Sequence, residues 1–272
     1  VVEDTRDPDS FLKIALFLLA LSFCGALLVM PYVAALESKA LAAAAARAHI
    51  EVWQALTISI SQSAVLLTAA VFAGLWAARQ LALRTPLLEA LFTAKPLPER
   101  TLITLLLAFA LGIATALLLA ALDRWGFANF PSVVAFVHNA RAGGVRPSAW
   151  QGLLASFYGG LDEEILMRLG LLSLLALAFR TVMRLMGGES TTALPSGVFW
   201  AANVVTAVLF GLGHLPATAA LAPLTAVLVV RAVVLNGLAG LLFGWLYRRY
   251  GLEWAMTSHF GTDLVLHAAM GG

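Results

Sequence analysis

Long apolar runs separated by short polar breaks fill the chain, at roughly 11–36, 54–78, 101–122, 150–179, 194–214, 218–246 and 252–270. Crossing the hydrocarbon core of a bilayer takes about 20 apolar residues as a helix, and most of these runs reach that length. Their apolar character is continuous rather than alternating. That suits a helix whose backbone bonds only to itself and not a barrel strand. The pattern predicts an all-α, polytopic transmembrane helical bundle of seven or eight spans. Within it, the stretch 123–149 mixes aromatics, Gly, Pro and Arg, which predicts an interfacial loop with a short surface helix. The stretch 215–246 contains Pro216, Pro223 and Arg231, which predicts two shorter helices or a re-entrant piece followed by one helix. The alanine-rich segment at 41–50 extends a helix beyond the bilayer.

Composition agrees: 61% of the 272 residues are hydrophobic and 12% charged, and the mean hydropathy is +0.90, outside the range of soluble domains. The net charge is only +2 and the basic residues are scattered, so neither a nucleic-acid partner nor a polybasic lipid-binding patch is indicated. Membrane lipids are the expected surroundings. Cys24, the only cysteine, lies inside the first run, so there is no disulfide framework and no CxxC metal knuckle. That first run is too long for a signal-peptide core and reads as a retained span. The segment between the second and third runs carries Arg79, Arg84, Lys95 and Arg100, which places it, and the N-terminus, in the cytoplasm by the positive-inside rule. Arg124, Arg141 and Arg146 weigh against that orientation. Arginine outnumbers lysine fourteen to three and alanine is abundant, which suits a prokaryotic plasma membrane.

Against this background the polar residues inside the runs stand out. A charged side chain at the centre of a membrane helix costs about 2.5–3.5 kcal/mol on insertion scales, so each cluster is a candidate for function. The first cluster is Glu163, Glu164 and Arg168 in GGLDEEILMRLGLL. On an α-helix, Glu164 and Arg168 share a face and can pair, whereas Glu163 is turned by about 100°. Asp162 is expected nearer the rim. The second cluster is Phe210 and His214 in FGLGH, also one turn apart. The third is SHFGTDLVLH, where His259, Asp263 and His267 follow at four-residue steps and form one stripe. Taken singly, each has a plain reading: an ion pair between helices, a satisfied histidine, or, for His267, an interfacial polar stripe. Together they supply a general base, imidazoles able to donate to an oxyanion, and groups to orient them. That is equipment for a hydrolase or for a metal site.

In order and spacing these residues resemble the CAAX proteases and bacteriocin-processing enzymes, the Abi proteins, which are intramembrane endopeptidases related to the Ras-converting CAAX protease. A glutamate pair with arginine four residues on stands as Glu163, Glu164 and Arg168; phenylalanine with histidine four on as Phe210 and His214; and the last histidine with a polar residue four on as His259 and Asp263. The resemblance covers about residues 150–267. It implies a four-helix catalytic core within 150–272, with residues 1–149 forming accessory transmembrane helices and the interfacial loop. It further implies hydrolysis of a peptide bond in a membrane-anchored, possibly prenylated, protein or peptide. Glu163 would activate water, Glu164 would be paired by Arg168, and His214 and His259 would position water and stabilise the oxyanion, beside Asp263 and Phe210. Eukaryotic CAAX enzymes carry asparagine where this chain has Asp263. No cofactor is favoured. A Zn²⁺-dependent version of the same hydrolysis would use Glu163, His214 and His259 as ligands, although no HExxH motif is present. The competing classes are a non-catalytic membrane scaffold or bacteriocin-immunity protein and a proton-coupled transporter.

Overall fold

A computed structural model describes residues 8–93, 95–142, 147–187 and 194–271; Arg146 and the first seven residues lie outside it. The regular secondary structure of the described residues is entirely helical, with no strand among them. The chain runs through α1 (Pro8–Arg47), α2 (Val52–Gln80), α3 (Pro86–Phe92), α4 (Thr101–Leu122) and α5 (Pro131–Ala142). It continues as α6 (Ala149–Tyr158), α7 (Ser173–Leu185), α8 (Ser196–Gly213), α9 (Leu215–Leu221), α10 (Ala226–Arg249) and α11 (Leu252–Asp263). Among the described residues six segments are long and apolar enough to cross a membrane: 8–36, 52–80, 101–127, 149–185, 196–221 and 226–249. Large apolar side chains cover their outer faces, where Val65, Leu66, Leu102, Leu107 and Leu118 are exposed, as lipid-facing residues should be.

Where the sequence left alternatives, packing chose. The 215–246 stretch becomes the short α9, which has Pro216 in its first turn, and the single span α10. The 123–149 stretch holds a π-helical turn at Asp123–Phe127 and the short helix α5. It is tied to α10 by a bidentate Arg231–Asp123 pair, both bonds 2.6 Å. The alanine-rich 41–50 stretch does lengthen α1, through Arg47.

Two departures from α-helical winding matter for the site. Between α6 and α7 the chain is π-helical over Gly159–Glu163 and again over Ile165–Leu172, and α11 continues as a π-helical turn, Leu264–Ala269. A π turn bonds i to i+5 and widens the helix, and such turns gather at functional sites. Glycines let the neighbouring helices close on these segments. A Cβ at Gly112 of α4 would overlap the backbone of Ser258, and one at Gly152 of α6 would overlap the backbone of His267. Small residues serve this purpose in membrane helices generally.

One end of the bundle gathers its basic residues. There Arg180 donates to the carbonyl of Gln80, Arg248 to the carbonyl of Leu194, and Leu252 N–H to the carbonyl of Arg84. Arg79, Arg184 and Arg249 belong to the same helix ends.

Candidate active site

Glu164 is fully buried, and its Oε1 accepts the Nδ1–H of His259 at 2.7 Å. Arg168 Nη1 lies 3.0 Å from the same oxygen. That contact is a charge pair rather than an aligned hydrogen bond, because no guanidinium nitrogen of Arg168 has a hydrogen-bond partner among the described residues. The cation sits between two rings, 4.8 Å from the centroid of Phe210 and 5.2 Å from that of Phe243. Phe243 also stacks on the His259 ring at 4.5 Å and 21°. The imidazole is thus clamped by a carboxylate at one nitrogen and an aromatic plane on one face.

The other nitrogen of His259, Nε2, lies 3.7 Å from Glu163 Oε2 and 3.5 Å from Asp263 Oδ2. His214 ends α8 at its C-cap, and its Nδ1 is 2.8 Å from the carbonyl oxygen of Phe210. A carbonyl only accepts, so the proton is on Nδ1, and Nε2 is the ring nitrogen left for other partners. Glu163, Phe210, His214, Asn236, Phe243, His259, Asp263 and His267 all line one cavity of about 130 Å³, with Leu119 of α4 in its wall. This volume has room for several waters.

Every site residue expected from the sequence is therefore at or beside this cavity, drawn from the 149–185 segment, α8 and α11. Residues 145–265 match the family model described as Rce1-like, type II CAAX prenyl endopeptidase. This chain carries an Rce1-like domain. No curated protein and no solved structure matches the chain. Residues 145–265 are thus similar to a family of CAAX-type membrane endopeptidases, and the apolar helices make the chain a multi-pass membrane protein.

Three details of the Rce1-like site differ from what α-helical geometry predicts. Glu163 and Glu164 do not face wholly apart: Glu164 bonds His259 Nδ1 at 2.7 Å while Glu163 approaches Nε2 of the same ring at 3.7 Å. Asp162 is not at the rim. It is fully buried, without a hydrogen-bond partner for either oxygen among the described residues, where α1 comes so close that a Cβ at Gly25 would overlap it. His267, read as an interfacial residue, lines the cavity and bonds to Tyr32 of α1, Nδ1 to phenol oxygen 3.1 Å.

Sequence patterning does not single out Phe243 or Tyr32, and marks Asn236 only as the Asn-Gly ahead of the histidine helix in the family resemblance. Asn236 has a usable signal, a lone amide inside a span; its Nδ2 donates to the carbonyl of Ala232 at 2.9 Å. Phe243 is one apolar residue among many, and Tyr32 lies far away in the chain, so only tertiary contact reveals them. As for metal ligation, no group of three or more His, Cys, Asp or Glu among the described residues is arranged to hold an ion. The bonds of His214 to Phe210 and of His259 to Glu164 both use Nδ1 and leave Nε2 of each ring open, so they do not by themselves exclude the expected zinc set of Glu163, His214 and His259.

Proposed function

We propose that this protein hydrolyses a peptide bond in a membrane-associated or lipidated protein, CAAX-type prenylated chains among its substrates, with Glu163 as the general base. The observation that carries this reading is the convergence of Glu163, His214, His259 and Asp263, from three separate segments, on one cavity. The two glutamates differ in a way that supports separate roles. The Glu164 side chain is 0% exposed and held between His259 and Arg168, whereas that of Glu163 is 25% exposed and borders the cavity.

In this mechanism Glu163 takes a proton from water as the water oxygen bonds to the scissile carbonyl carbon. His214, with its proton committed to Phe210, accepts the second water O–H at Nε2 and so aims the oxygen lone pair. The tetrahedral intermediate carries its negative charge on the former carbonyl oxygen, and the Nε2–H of His259, a ring protonated at both nitrogens among Glu163, Glu164 and Asp263, donates to it. The carbon–nitrogen bond then breaks as the proton held by Glu163 passes to the leaving amine, which leaves a new carboxyl and a new amine. Glu164 and Arg168 take no part in the proton transfer; they hold the His259 ring in place. The basic end of the bundle would face the cytoplasm, as the positive-inside rule prefers.

Purified protein in proteoliposomes should cleave a farnesylated peptide bearing a CAAX end, and Glu163→Gln should lower the rate by about 10²–10⁴, the usual worth of a general base. A chelator should leave the wild-type rate unchanged. Full activity in Glu163→Gln would remove Glu163 from the chemistry, and loss with chelator restored by Zn²⁺ would replace the mechanism with a metal-dependent one. If membrane-anchored but unprenylated peptides are cleaved equally well, the prenyl group is not what the site recognises.

A further inference from the structure

One polar residue lining the cavity, and the tyrosine bonded to it, lie outside the segment that matches the Rce1-like family, residues 145–265. One is His267, whose side chain is 40% exposed and lines the cavity. The other is Tyr32, which reaches it from the first span. Their placement is built in. The Tyr32 hydroxyl is 3.1 Å from His267 Nδ1, and the two rings meet edge to face at 5.5 Å. Gln151 of α6 donates to the carbonyl of Pro31, next to Tyr32, at 3.0 Å. Gly152, the following residue, lets α6 close on the backbone of His267.

Between His267 and His259 stands Asp263. Its Oδ1 is 3.8 Å from His267 Nε2 and its Oδ2 is 3.5 Å from His259 Nε2. An ionised carboxylate only accepts hydrogen bonds, so Asp263 cannot itself donate to an oxygen gaining negative charge. An imidazole can. With the Tyr32 phenol donating to Nδ1, the neutral ring carries its proton on Nε2, the nitrogen facing Asp263. At 3.8 Å that N–H is not consumed by Asp263.

We propose that His267 is a further catalytic residue of this site: its Nε2–H donates to the scissile carbonyl oxygen as that oxygen becomes negative, Asp263 steers it electrostatically, and Tyr32 is the positioning residue that fixes its tautomer. The first span thereby contributes directly to the chemistry. The inference rests on the hydrolase reading above, which Glu163→Gln tests separately.

The test compares kcat and KM of the purified full chain on the farnesylated peptide for wild type, His267→Ala, Tyr32→Phe, Asp263→Asn and the double variants. Removing one oxyanion donor costs about 10²–10³ in kcat, and His267→Ala should show such a loss with KM little changed. Tyr32→Phe should cost about tenfold, roughly the worth of one hydrogen bond, and should cost nothing more when combined with His267→Ala. Asp263→Asn places an amide donor beside the same oxygen, so the loss on His267→Ala should shrink to a few-fold in the Asp263→Asn background. That rescue separates donation from packing, because a merely structural histidine would cost the same in both backgrounds. If Glu163→Gln is inactive while His267→Ala keeps wild-type kcat, or if its loss is unchanged by Asp263→Asn, His267 has no catalytic role and the hydrolase reading stands without it. If Glu163→Gln is fully active, the hydrolase reading fails first.

Discussion

Arg168 illustrates how much of this site is decided by a single side chain. It is 1% exposed, is charge-paired with Glu164, and lies between the rings of Phe210 and Phe243. A buried pair is worth little compared with an apolar replacement of both partners, but removing one partner strands the other charge and costs about 3–5 kcal/mol. Arg168→Met should therefore lower the melting temperature sharply in detergent, and Arg168→Met with Glu164→Gln should recover much of the loss. If the single and double variants melt alike, Glu164 does not depend on Arg168 for its charge. The pairing of these two residues can be read from their spacing. The approach of both Glu163 and Glu164 to His259 cannot, because that ring comes from α11, 95 residues beyond Glu164.

At the scale of elements, close approach explains more than propensity. A Cβ at Gly159 would overlap the carboxylate of Asp263, with His259 Nε2 next nearest at 3.3 Å. Gly159→Ala should thus cost activity out of proportion to stability, by displacing Asp263 and the ring beside it. Gly197, near the start of α8, has nothing within 4 Å of its would-be Cβ among the described residues. Gly197→Ala should be neutral or slightly stabilising, by up to about 1 kcal/mol, as read from thermal melting. Equal activity loss in the two variants would mean that the close packing of the π-helical turn on α11 is not what tunes the site.

Across the whole molecule, α11 is aligned by the opposite half of the chain. Its first-turn Glu253, outside the six candidate spans, accepts the N–H groups of Leu87 and Leu88 at 2.9 and 3.0 Å and so caps α3. Gly251, at φ +127°, makes the turn into α11 where a Cβ would overlap Pro86. Burial pushes the Glu253 carboxyl up from the ordinary 4.5 to about 7, with the two N–H groups pulling the other way. A carboxyl that holds its proton more tightly folded than unfolded stabilises the fold at low pH, and that contribution is lost as pH rises through the folded value. The melting temperature in detergent should fall as pH rises from about 4.5 to about 7, and Glu253→Gln should flatten that part of the slope. An identical slope in the variant would place the titration elsewhere.

Composition and spacing dictate the solvent and mark out the polar residues set within it. A chain this apolar can satisfy its backbone in a bilayer only as helices, and Glu163, Glu164, Arg168, His214, His259 and Asp263 are conspicuous because charged and polar groups are costly there. Their reading as a set also follows from order and spacing. How the clusters meet is a matter of packing: a helix, α11, that brings one imidazole to two adjacent glutamates, glycines that let α4 and α6 close on it, and a first span that places Tyr32 on His267. Those features depend on contacts between residues far apart in the chain, such as Tyr32 and His267 at a separation of 235. Periodicity along one segment carries no information about such contacts.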